Sequence, residues 1–184
     1  MQSTVTEQGR IAMAVAIAAR PLHIAWGLGD EAWDSMDPLE WPSLVKATAL
    51  VNEVGRRKPS VVGFVTPDDN GSIVVPVEKR VTEEGTVEVV TKRYAYSAEP
   101  TAYLYLRADF DYSDAPTATL REVGVFMDTE VSPDCPAGQL YFRPEEIVNA
   151  GRLFAAQILD EPITRSPNRK IGIELVQKSE AKRS

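Results

Sequence analysis

A chain of 184 residues with 43% hydrophobic content can bury a sizeable core and is not disordered by composition. A net charge of −7 argues against a nucleic-acid role, and the single cysteine, Cys135, excludes an internal disulfide or a cysteine-based zinc site. The longest apolar run, 11–19, is about half of a bilayer span, so no membrane insertion is expected. With Glu7 offsetting Arg10 ahead of that run, the chain reads as made in the cytoplasm without a targeting signal.

Thr4 followed by Glu7 has capping-box spacing and predicts a helix that runs to about Arg20, where Pro21 stops it. Ile11, Ala14, Val15 and Ala18 fall on its packed face. Residues 22–26 alternate as a strand and end at Gly27-Leu28-Gly29-Asp30, a turn without the third glycine of a dinucleotide site. His23, the sole histidine, reads as structural or surface, because no nucleophile motif surrounds it. The loop 31–42 carries Trp33 and Trp41. Its indoles either plug one end of the core or offer a partner or glycan contact. Ser43 is expected to cap a second helix with Leu44, Ala47, Val51 and Val54 on one side.

From residue 61 the signals are β. Stretches 61–66 and 72–77 flank Asn70-Gly71, which predicts a hairpin. Asp68, Asp69 and Asn70 lack the ligand spacing of a calcium loop and read as a turn. A charged ribbon follows over 78–94. Its modest apolar strip, Val81, Val87, Val89 and Val90, is expected to contact a partner, since a two-stranded hairpin is marginal alone in water. The stretch 102–112 alternates cleanly, with Ala102, Leu104, Leu106, Ala108, Phe110 and Tyr112 on one face. Asp109, Asp111 and Asp114 are candidates for a cation, although carboxylates on a sheet face commonly pair with arginines.

Leu120-Arg121-Glu122-Val123-Gly124-Val125-Phe126-Met127 reads as an interior strand with apolar residues on both faces. Gly124 weakens such a strand unless a neighbour packs closely over it. Short strands at 139–143, 152–159 and 170–177 follow, and 178–184 is a polar tail. The fold class is therefore α+β and mostly β. It is an antiparallel sheet or β-sandwich over 1–177, with a packed N-terminal helix and a projecting hairpin. A glycosidase built on paired carboxylates stays open, but no nucleophile motif or phosphate-cradling loop is present. Neither enzymatic activity nor a cofactor or metal is expected.

Five segments appear in an order that carries more than composition does. They are Thr6 and Gly9 before an Ala-rich helix, Gly27–Asp30 after the first strand, Thr48-Ala49-Leu50-Val51-Asn52-Glu53-Val54-Gly55-Arg56-Arg57, Leu120–Phe126, and Gln139-Leu140-Tyr141. In this order they resemble the tail-collar fibre proteins of tailed bacteriophages and related short baseplate or tail proteins. Collar fibres continue into long shaft and receptor-binding regions, so the resemblance implies a connector. Its location would be the virion tail and its partners copies of itself and other tail, baseplate or fibre proteins, with glycan binding as the alternative. The resemblance also rationalises Glu53, Glu122 and Gly124 as a structural pin, with Arg56 and Arg57 as expected partners for the Glu122 carboxylate.

Overall fold

The computed structural model describes residues 4–81 and 87–178. In chain order these form α1 (Glu7–Ala18), β1 (Leu22–Gly27), β2 (Glu53–Arg57), β3 (Val61–Pro67), β4 (Ile73–Val81), β5 (Val87–Ser97) and β6 (Tyr103–Phe110). They continue with β7 (Thr119–Met127), β8 (Glu130–Val131), β9 (Tyr141–Phe142), β10 (Ile147–Asn149), β11 (Arg152–Thr164) and β12 (Ile171–Lys178). The class is mostly β with antiparallel sheets and a short N-terminal helix, as expected. The single domain expected over 1–177 divides into two compact units interleaved in sequence. One draws on Met1–Ala19, Val61–Arg107 and Glu174–Ser184, the other on Arg20–Ser60 and Ala108–Ile173.

In the second unit the sheet order is β11-β7-β1-β2-β9, and β8 and β10 form a separate two-stranded ladder. β7 lies between β11 and β1, and residues 120–126 are all buried. This is the interior strand that its two apolar faces predict. Gly124 sits opposite Ala25 and Ala156. A Cβ there would approach Leu153 Cδ1 at 2.9 Å and Leu50 Cδ2 at 3.0 Å. The close cover predicted at Gly124 is present. β11 runs through Pro162 to residue 164, further than the sequence suggests. A register shift between Ile158 and Ile163 takes the proline out of the ladder with β7.

In the first unit the order is β12-β6-β3-β5-β4. The core here is Val65, Ile73, Val75, Tyr94 and Tyr105. The Asn70-Gly71 turn forms, with Gly71 N–H donating to Asp68 O at 2.8 Å. The strands it joins do not pair. β5 lies between β3 and β4, and a Cβ at Gly71 would strike the Tyr94 carbonyl. β5 (11 residues) has one edge for each of them, so the turn is a crossover and not the expected hairpin.

Two helical expectations also change. α1 is capped by Thr6, whose hydroxyl accepts from Gly9 N–H at 3.2 Å, and not by Thr4. The second helix is absent. Ser43 makes no side-chain cap, only Leu44–Lys46 form a single 3-10 turn, and Asn52 adopts a left-handed φ of 52°. Residues 53–57 instead extend between β1 and β9, where pairing on both sides outweighs helix propensity.

The contrast between two glycines gives a direct check. Gly124→Val should lower stability by about 1–3 kcal/mol through overpacking. Gly63 has nothing within 4 Å of a built Cβ, so Gly63→Val should change stability by about 0.5 kcal/mol or less. Urea melts of the two variants test the pair, and equal midpoints would show that Gly124 is not closely covered.

Candidate functional site

The distinctive chemistry of the second unit is a set of buried charges along its sheet. Glu122 is 1% exposed and lies opposite Gly27 in the β1–β7 register. A Cβ at Gly27 would sit 2.5 Å from Glu122 Oε1, so the glycine makes room for the carboxylate. That oxygen accepts the backbone N–H of Val51. The loop is held from its other side too, since Leu28 N–H donates to Asn52 O and Gly29 N–H to Val51 O, both at 3.1 Å. Burial, with a smaller push from Glu53, raises the Glu122 pKa to about 7 despite the Val51 N–H.

The arginines expected beside Glu122 have other partners. Arg56 is 3% exposed and forks onto Glu53, with Nε to Oε1 at 2.6 Å and Nη2 to Oε2 at 3.0 Å. Its Nη1 donates to Thr129 Oγ1 at 2.7 Å and to Ala150 O, and its guanidinium lies 3.5 Å from the Phe126 ring centre. This corrects the expected pin. Glu53 sits three residues from Arg56 on the same strand and satisfies it at short range, so Glu122 pairs with backbone instead. Arg57 Nη1 donates to Asp114 Oδ2 at 2.5 Å. The Asp114 carbonyl accepts from Arg165, whose Nη1 also reaches Arg169 O at 2.9 Å. Arg121 grips Asp34 through two bonds of 2.8 and 2.9 Å, which holds the Asp34 pKa below the usual carboxylate range.

Of these charged groups only Arg121 lines an open groove of about 930 Å³, which residues 28–31 and 115–119 border together with Val51, Asn52, Tyr141 and Arg143. Asp34, Asp114, Thr129, Arg121 and Arg165 were not foreseen as a network. Arg165 lies between two prolines in a stretch with no periodic signal, and only the fold brings it to Asp114.

The other expected sites resolve differently. His23 is buried and edge-on to Phe142, and burial lowers its pKa to about 4, with Lys58 and Arg56 adding to the effect. Neither ring nitrogen has a hydrogen-bond partner among the described residues. Of the three aspartates, Asp109 accepts from Ser60, Asp111 pairs with Lys170 and Asp114 with Arg57. Among the described residues no group of His, Cys, Asp or Glu could hold a metal ion. Trp33 is buried at 7% exposure against Gly29, and Trp41 Nε1 donates to Trp33 O at 3.4 Å. Trp26 is buried against Phe110. Packed in this way, Trp26 and Trp33 offer no stacking face for a sugar. In the ribbon, Val90 is half-buried, while residues 82–86 and the side chains of Val81, Val87 and Val89 lie outside the described residues.

Comparison with known families decides the class. Residues 2–178 match the family described as baseplate wedge 3 tail fiber network component. The chain belongs to this family. A search of curated proteins finds no match. As a component of the bacteriophage baseplate and its tail fibre network, the protein resides in the virion tail and contacts other tail or baseplate proteins. No helix among the described residues is long and apolar enough to cross a membrane. The match fits the phage tail or baseplate class that the five ordered segments resemble, and the buried ion pairs are the interior of a baseplate part.

Proposed function

We propose that this baseplate component is a non-catalytic connector that joins the tail to its fibres through contacts with copies of itself and with neighbouring tail proteins. The observation that carries the reading is the β4–β5 ribbon. β3 pairs with β5 only from Tyr94 to Ser97, whereas the β4–β5 ladder continues to Val81 opposite Val87. Beyond the sheet, therefore, the ribbon is a two-stranded arm. An isolated pair of strands is marginal in water, and surface ion pairs add only about 0–1 kcal/mol each. Such an arm gains order by lying on a neighbour. The ion pairs within the second unit suit the same role, because satisfied buried charges hold one geometry.

Deleting 79–92 and bridging with Gly-Ser tests the arm. The shortened protein should keep its melting temperature within a few degrees yet fail to enter particles, and normal assembly would overturn the arm's role. Omitting the gene tests the connector itself. Tails should lack fibres in electron micrographs, and infectious particles with complete fibres would overturn the reading.

A further inference from the structure

The Asn70-Gly71 pair lies in a crossover and not a hairpin, so hairpin geometry does not account for it. Packing accounts for the glycine, since Gly71 is buried and a Cβ on it would strike the Tyr94 carbonyl. Of the four asparagines only Asn70 precedes a glycine, and Asn70 is exposed. An Asn-Gly bond carries a chemistry of its own, because no side chain on the second residue hinders its nitrogen. In that reaction the glycine nitrogen gives up its proton and attacks the asparagine Cγ, and the side-chain nitrogen leaves with a proton as ammonia. Water then opens the cyclic imide at either carbonyl. One opening gives aspartate; the other gives isoaspartate, whose main chain is longer by a carbon.

The folded turn withholds this nucleophile. Gly71 N–H donates to Asp68 O at 2.8 Å, and Gly71 O accepts from Arg93 Nη1 at 3.1 Å. Asp68 anchors the other side, its N–H donating to Arg93 O at 3.1 Å and its Oδ1 accepting the Asn70 N–H at 2.8 Å. Attack needs the Asn70-Gly71 peptide plane to rotate until its nitrogen reaches Cγ, and that rotation breaks both Gly71 bonds together. We propose that Asn70 is a deamidation site gated by the fold, closed while the crossover between β3 and β4 is in place and open in a chain that has not formed it. Isoaspartate then makes the opening permanent. A turn with a longer main chain cannot keep Gly71 both bonded to Asp68 O and flush on the Tyr94 carbonyl. The new carboxylate also stands beside Asp68 and Asp69, where like charges repel. A chain that lingers unfolded is thereby barred from the sheet of the first unit.

Peptide mass spectrometry of the purified full chain, aged at mildly alkaline pH, tests the proposal. Asn70 should deamidate at least about tenfold more slowly in buffer than in concentrated guanidinium chloride, because only local opening exposes it in the folded chain. In denaturant it should also outpace Asn149, which is exposed but precedes alanine. Equal rates at Asn70 in the two solvents would overturn the gate, and no reaction in denaturant would overturn the site. Arg93→Ala removes one restraint on Gly71 at an exposed position. It should speed deamidation of Asn70 in buffer severalfold and leave the rate at Asn149, in the second unit, unchanged. An unchanged rate at Asn70 would overturn the assignment of the gate to these bonds. Finally, chains aged in denaturant and then refolded should separate by chemistry. Isoaspartate at position 70 should be depleted from the soluble, folded fraction, and an equal share in folded and aggregated chains would overturn the exclusion.

Discussion

Asp114→Ala should destabilise the second unit by about 3–5 kcal/mol, the cost of removing one partner from a buried charge pair. Asp114 is 3% exposed and Arg57 is mostly buried beside it, so the substitution leaves a guanidinium largely out of water with only the Asp111 carboxylate, no ion-pair partner of it, nearby. The same carboxylate oxygen accepts the Asp111 N–H at 2.8 Å, which closes the turn after β6. Arg165 bonds the carbonyls of Asp111 and Asp114, so loss of that turn also loosens the approach of the segment beyond β11. Asp114→Asn keeps the acceptor for the Asp111 N–H and removes only the charge, and it should cost less than alanine. Urea melts rank the three proteins, and an alanine variant within about 1 kcal/mol of wild type would show that water reaches Arg57.

Glu122 should make the protein less stable as pH rises from about 4.5 through neutrality. Its pKa is about 7 in the folded chain against an ordinary 4.5, so the native state binds the proton more tightly. The stabilisation is complete below pH 4.5 and is lost as pH rises through 7. Each pH unit of that window is worth about 1.4 kcal/mol, on the order of 3 kcal/mol in all. His23 works in the opposite sense. Its pKa falls from 6.5 to about 4, so its contribution is complete above pH 6.5 and is lost as pH falls toward 4. The two effects oppose each other between pH 4.5 and 6.5, and above 6.5 only Glu122 changes. Comparing wild type with Glu122→Gln at pH 6 and pH 8.5 isolates it. Wild type should lose about 1.4 kcal/mol more than the variant across that interval, and Glu122→Gln should be the more stable protein at pH 8.5. Parallel profiles would show that the carboxylate is solvated.

The elements legible in the sequence were those whose pattern is local. β7 announced itself through apolar residues on both faces, and β6 through strict alternation from Ala102 to Phe110. Gly124 was readable as a site of close cover because a glycine inside such a strand needs a reason. What failed depended on tertiary pairing. Residues 43–54 carry helical spacing, yet the free edge of β1 draws Glu53–Arg57 into the sheet. The Asn70-Gly71 turn was recognised, but a turn does not say which strands will lie side by side. At the site, Glu53, Arg56, Arg57 and Glu122 were rightly singled out as charges in need of partners, and the pairing was not readable. Short-range geometry joins Arg56 to Glu53, and contacts across more than fifty residues join Arg57 and Arg165 to Asp114.

The order of strands also governs how the chain is made. The sheet of the second unit needs β11 as an outer strand, and that of the first needs β12, so no fragment that ends before β11 contains either sheet complete. β3, once translated, waits for β5 and β6 before either of its edges is filled. Folding is therefore dominated by non-local pairing and should be slow, finishing only after residues 171–178 have left the ribosome. For phage genetics this is useful. A nonsense allele at any codon before β11 yields no folded remnant to occupy a place in the baseplate, so its phenotype reports the empty position and not a poisoned one.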